Sequence, residues 1–165
     1  MQTLNKEEIG DALGRIATGV YVITLEQKAD QSSAREGMLA TWIMQVAFDP
    51  PMISIAVKDE RPILKHLTKE ANVVVNILAK HNHDIFKNFA KPNISQEERF
   101  DSLPLLAETE YGPIFASCHA YLACKIKEIV PAGDHFLVLA EVIKGALLHP
   151  EAEPIIHLRK NGFQY

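Results

Sequence analysis

The chain has 165 residues, room for one domain with a single substantial core and no need of disulfide staples. Its 47% apolar and 23% charged residues suit a soluble globular protein and exclude a disordered one, and a net charge of −4 argues against nucleic acid as the main partner, which wants a basic surface. No stretch approaches the roughly 20 consecutive apolar residues of a membrane span, and Met1 to Glu8 is too polar for a signal or transit peptide, so a cytoplasmic protein with no membrane partner is expected.

Asn5 to Ile16 reads as a helix, with Asn5 as cap, Glu8 placed for a capping box, and Ile9, Ala12, Leu13 and Ile16 as one apolar stripe closed by Gly19. Val20 to Leu25 is a β-branched strand, and the polar run Glu26 to Glu36 reads as an exposed loop. Gly37 to Phe48 is a long apolar run that stops at Asp49-Pro50-Pro51, since consecutive prolines break a ladder. Met52 to Val57 is a short buried strand, and Pro62 opens a short helix reaching about Lys69. Asn72 to Ala79 is a strand, His83 to Phe89 a short helix, and Lys91 to Glu110 an irregular polar stretch.

The last third is strand-rich. Cys118 to Val130 alternates, with Ala120, Leu122, Cys124 and Ile126 on one side and His119, Tyr121, Lys125 and Lys127 on the other. The two cysteines, Cys118 and Cys124, share a face of that strand but lie about 20 Å apart, too far for a disulfide, and read as buried thiols. Pro131 to Asp134 is a turn, Phe136 to Leu148 a strand apolar on both faces, and a final hairpin is expected to turn at Lys160-Asn161-Gly162. Many strands, short turns and few helices point to a mainly β fold, an antiparallel barrel with peripheral helices, in a single domain spanning residues 1–165.

Several chemistries are missing. No glycine-rich dinucleotide turn, phosphate-cradling Gly-Lys loop or nucleophile elbow is present. His81 and His83 stand two apart at a helix start with no clear third ligand, so capping explains them better than a metal, and no metal site is expected. Asn93-Ile94-Ser95 has the glycosylation spacing but no secretory context to use it.

A few polar residues stand out from their surroundings. Asn76 interrupts Val73 to Leu78, where a buried amide must find partners, either a neighbouring loop or a polar ligand. Thr41 and Gln45 interrupt the run before Phe48 and share a face if the strand is regular; they face solvent or a ligand, with Trp42 opposite as a core residue. Arg61, between Lys58 and Pro62 at a strand end, is a solvated charge or a phosphate anchor. His135 after Gly133-Asp134 is an exposed turn residue or a functional imidazole.

Taken in order, "ALGRIATGVYVIT", "GMLATWIMQVAFDPPMISIAV", "VVVNIL", "ERF", "AGDH" and "PIIHLRKNGFQY" resemble the flavin reductase-like family over nearly the whole chain. The wording "LGRI" and "MLATW" is most similar to the flavin reductase domain of cyanobacterial flavodiiron proteins, in which case the chain stands alone or is part of a longer one. The resemblance implies an FMN-binding split β-barrel, a homodimer with flavin at the subunit boundary, FMN (FAD possible) as cofactor and NAD(P)H as substrate. It assigns Met38, Leu39, Ala40, Thr41 and Trp42 to the ribityl and phosphate, and Gln45 and Val46 to the edge of the ring through main-chain atoms. It further assigns Lys58 and Arg61 to the phosphate, Asn76 and Ile77 to the flavin lining, and His135 to the nicotinamide side. Ile43, Met44 and Gln45 depart from the family's small polar residues, Ala140 replaces a glycine and His157 an aromatic; these departures bear on the substrate more than on the flavin.

The function implied is an oxidoreductase that moves a hydride from NAD(P)H to flavin and electrons onward to an acceptor, an electron-acceptor protein among the candidates. The alternatives are a flavin-carrying or electron-transfer dimer without NAD(P)H activity, and a non-enzymatic binder of another planar ligand such as haem.

Overall fold

A computed structural model describes residues 5–106 and 109–165. Met1 to Leu4, part of the polar start, lie outside the described residues, as do positions 107 and 108 of the irregular stretch. The chain forms helix α1 (Lys6–Leu13), strands β1 (Tyr21–Ala29), β2 (Ser32–Ala40), β3 (Ile43–Phe48) and β4 (Pro51–Lys58), and a 3₁₀ turn (Pro62–His66). Then follow β5 (Asn72–Ile77), helices α2 (His83–Ala90) and α3 (Gln96–Phe100), and the long hairpin β6 (Ala120–Ala132) and β7 (His135–Leu147).

All seven strands form one antiparallel sheet in the order β2-β1-β5-β6-β7-β4-β3. Its two edges, β2 and β3, are consecutive in the chain and joined only by Thr41 and Trp42. Laid flat, seven strands place their edges about 29 Å apart. A two-residue link spans at most about 10 Å. The sheet therefore has to curl until its edges meet, and the seam falls at Thr41-Trp42. This is the split β-barrel expected from the sequence.

Each face of the sheet buries its own apolar cluster. Ile23, Ile55, Val57, Val75, Ile126 and Val138 fill the side on which the sheet closes. Val22, Val74, Leu78 and Ala123 point the other way, against Ile85 and Phe89 of α2, Phe100 of α3 and Phe115. Phe89, Phe100 and Phe115 meet edge-on or stacked at 5.3 to 5.8 Å. β5 lies between the two clusters, which is why Val73, Val74 and Val75 are all fully buried.

Several expectations need correction. The helix ends at Leu13 with Gly14 as its cap, not at Ile16, which is exposed; Asn5 does cap it, accepting from the Glu8 amide at 3.4 Å. The run Glu26 to Glu36 is no loop: β1 continues to Ala29 and returns as β2 in full register, its polar residues reflecting a hairpin arm in water. The apolar run after Gly37 is two strands broken at Thr41-Trp42, and Pro51 opens β4, paired with Phe48. The turn at Pro62 is 3₁₀ and stops at His66. The irregular stretch contains α3, closed by a reciprocal capping box between Ser95 and Glu98.

The two cysteines do not share a face. Cys118 precedes β6 and belongs to the outer cluster, whereas Cys124 belongs to the inner one, and a bulge at Ala123/Cys124 shifts the alternation between them. The final hairpin is absent as well. Residues 154–165 make only single bridges, Thr18 to His157 and Ala79 to Pro154, then run against α1. Gly162 is there for close approach: a Cβ on it would lie 2.2 Å from Leu13 Cβ.

Candidate functional site

The seam opens into a cavity of about 540 Å³. Its walls are Gly37 to Trp42 from β2 and the link, Ala56 and Lys58 from β4, Arg61 to Ile63 at the 3₁₀ turn, and Phe89, Gln96 and Arg99 from α2 and α3. The elements fix it in place. Trp42 C=O accepts from the Ala56 amide at 3.0 Å, tying the link to β4. Gly37 N–H donates to Gln96 Oε1 at 3.0 Å, and Arg99 donates to the carbonyls of Asn88, Phe89 and Lys91 at the end of α2.

One wall atom has no partner. Thr41 Oγ1 is fully buried and makes no hydrogen bond. Burying an unpaired hydroxyl costs about 1–3 kcal/mol. Lys58, half-buried and paired with Glu60 at 3.3 Å, and Arg61 supply positive charge on the same wall. A hydroxyl donor, two cations and the flat face of Trp42 suit an anionic ligand carrying a planar ring.

A second cavity of about 450 Å³ lies beside the first and shares Trp42, Ala56, Lys58 and Tyr165 with it. Its other walls include Asp134, His135, Leu137, Arg159 and Phe163. β4 and β7 pair Lys58 with His135, so the tight β6–β7 turn at Gly133 (φ 64°) delivers the imidazole here. The ring packs on Trp42 with centroids 4.9 Å apart, and Tyr165 packs on Trp42 at 5.4 Å. Arg159 lies over Trp42 at 4.9 Å, buried, with Nη1 donating to Gly162 C=O and Nη2 to Leu13 C=O, while Nε is buried without a partner. Asp134 Oδ1 meets His135 Nδ1 at 2.7 Å, and that bond holds the Asp134 carboxyl below its ordinary range. His135 Nε2 is hydrogen-bonded to the Tyr165 hydroxyl, whose pKa burial raises.

Eight of the residues singled out in the sequence therefore stand around the paired cavities: Met38, Leu39, Ala40, Thr41, Trp42, Lys58 and Arg61 at the first, and His135 at the second. Four do not. Asn76 is fully buried with its amide committed to protein: it donates to Val22 C=O and Thr24 Oγ1, each at 3.1 Å, and accepts from Phe115 N–H at 3.0 Å. Ile77 next to it pairs with Tyr21 and Ala120. Gln45 and Val46 are exposed on the edge strand β3, and Gln45 Nε2 donates to Ala47 C=O at 3.2 Å. Thr41 and Gln45 share no face, because the strand that would have aligned them breaks between them.

Tyr165, Arg159, Asp134, Gln96 and Arg99 were not singled out. Arg159 stands beside Lys160 and carries no local signal of its own, and all five reach the site only through folding.

Residues 13–164 match the flavin reductase like domain. The chain is 35% identical over 167 residues to diflavin flavoprotein A 6 of Nostoc sp., covering 99% of this chain and 28% of that one. It is 31% identical over 159 residues to diflavin flavoprotein A 1 of Synechocystis sp., covering 96% and 27%. It thus spans about a quarter of the length of these relatives. Among solved structures, the Streptomyces globisporus NADH:FAD oxidoreductase SgcE6, in complex with NAD and FAD fragments, superposes with a TM-score of 0.79 at 26% identity, over 91% of this chain and 86% of that one. The flavin reductase PheA2 gives 0.74 at 25%, over 90% of each chain.

Proposed function

The chain belongs to the flavin reductase like family, and from that premise we propose that it binds FMN in the larger cavity and accepts a hydride from NAD(P)H in the smaller one. The observation that carries this reading is the cavity at the barrel seam, whose lining brings Lys58, Arg61 and Trp42 together with Thr41, a residue whose buried hydroxyl has no protein partner.

The residues fit the cofactor. Arg61 and Lys58 would offset the phosphate charge, Thr41 would meet a phosphate or ribityl oxygen, and backbone groups of the Met38–Trp42 segment would line the rest. When bound, FMN supplies two-electron redox chemistry at its ring. Hydride transfer needs no protein acid or base; it needs the two rings stacked with reacting atoms about 3–3.5 Å apart. Trp42 and His135, in contact at the junction of the cavities, would set that stacking.

The working form is a cytoplasmic homodimer, supported by the apolar edge strand β3, where Met44, Val46 and Phe48 stand exposed. Among the described residues no helix is long and apolar enough to cross a membrane. The deciding experiment is anaerobic mixing of the yellow, flavin-loaded protein with NADH or NADPH. Bleaching of the oxidised-flavin absorbance is expected. Persistent absorbance would leave only a flavin carrier or an electron-transfer dimer fed by another protein, and a colourless preparation that ignores added FMN would remove the reading altogether.

A further inference from the structure

The geometry points to a proton wire, Asp134–His135–Tyr165, that ends on the wall shared by the two cavities and makes Tyr165 the acid for reduction of a quinone bound in the smaller one. The inference rests on the flavin reading above.

The wire is continuous. Asp134, its side chain 73% exposed, meets solvent, as does part of Tyr165, 58% exposed; His135, 12% exposed, is held between the carboxylate and the phenol. With Nδ1–H donating to Asp134, Nε2 faces the Tyr165 oxygen as its proton partner. Nothing in hydride donation from a nicotinamide uses such a chain. A quinone does use it, because it takes up two electrons and two protons.

The smaller cavity suits that substrate. Trp42, Leu137 and Phe163 give it flat and apolar walls around about 450 Å³. The step balances as follows. The flavin provides the electron pair, delivered with one proton as a hydride. Tyr165 Oη–H breaks, and its proton forms the second O–H bond of the hydroquinone. The Nε2–H of an imidazolium at His135 then restores the phenol, and His135 is reprotonated from solvent, to which Asp134 is open. A phenol giving a proton to a forming phenol is close to matched in acidity, the condition for efficient general acid catalysis. Burial holds the phenol protonated and ready to donate, and of the charged groups facing it Arg61, 5.7 Å from its ring, Lys58 and Arg159 oppose that while Asp134 adds to it.

The test compares wild type with Tyr165→Phe, His135→Asn and Asp134→Asn. In the flavin-free protein, the Tyr165 ring carbon resonance, read by NMR against pH, should shift its titration when His135 or Asp134 is replaced. In flavin-loaded protein reduced chemically, reoxidation is followed with a small benzoquinone and with ferricyanide, which takes electrons and no proton. Tyr165→Phe should lower the quinone-to-ferricyanide rate ratio about 100-fold. A ratio that stays at the wild-type value, or a Tyr165 titration blind to His135, overturns the wire while leaving flavin binding intact. Failure to bind flavin overturns the underlying reading instead, and a titration still coupled to His135 would then show the wire serving no quinone.

Discussion

At the scale of single residues, two buried polar groups with opposite bookkeeping separate structure from function. Thr41 Oγ1 is buried and unpaired; Asn76 is buried and fully paired. Thr41→Val removes an orphan and should stabilise the flavin-free protein by about 1 kcal/mol, while the lost contact to ligand weakens FMN binding roughly fivefold. Opposite signs in a melting curve and an FMN titration are the signature; equal signs would mean the hydroxyl has no ligand to meet. Asn76→Ala removes the amide that gives the Phe115 amide its partner and should cost about 2–3 kcal/mol in chemical denaturation, with FMN affinity of the folded fraction little changed. The cysteines give a third check. Burial pushes both thiols from about 9 up to about 12. The folded state thus holds these protons more tightly than the unfolded chain, so the stability they contribute is complete below about pH 9 and drains away as pH rises toward 12. At pH 8 neither should react with a thiol reagent until denaturant is added, and prompt labelling of the native protein would contradict the burial.

At the scale of elements, what the sequence disclosed depended on whether the signal was local. β4, β5 and α2 were legible because their apolar patterns and turn residues lie within themselves. β2 was not: Ser32 to Glu36 are polar because that hairpin arm stands in water, and only pairing with β1 makes it a strand. The break at Thr41-Trp42 was hidden for the reverse reason. Nothing in "LATWIM" marks a turn; the chain changes direction there because the barrel closes there. The same limit governed the site. Thr41, Lys58, Arg61 and His135 were found through local oddity and resemblance, whereas Tyr165 and Arg159 join it because residues 154–165 fold back over α1. Asn161-Gly162 resembled a hairpin turn, but Gly162 is required by its contact with Leu13. Gly162→Ala should therefore destabilise the protein by about 1–3 kcal/mol through overpacking and loosen the segment that carries Arg159 and Tyr165, read as earlier proteolysis there. An unchanged melting temperature would show that α1 can step aside.

At the scale of the whole molecule, the seam that makes the cavity is also the barrel's weakest boundary. β3 pairs on one side only, with β4, and leaves Met44, Val46 and Phe48 in water, Phe48 at 90% exposure. An uncovered apolar edge strand is a liability that proteins avoid or use, and a second copy is the occupant that the proposed homodimer supplies. Because Trp42 leads directly into β3, a partner that clamps this strand also holds the Thr41-Trp42 link against the flavin cavity. Oligomeric state and cofactor retention should then fail together. Phe48→Asp places a charge on the most exposed member of the apolar patch and should weaken dimerisation about 30-fold or more, given the 2–4 kcal/mol typical of a buried aromatic anchor. Sedimentation of the variant should show monomer where wild type is a dimer insensitive to high salt, since the contact is apolar. FMN should dissociate faster from the variant although Phe48 lies outside the cavity walls. A monomeric variant that keeps its flavin as tightly as wild type would sever that link and assign the holding of the cofactor to a single protomer.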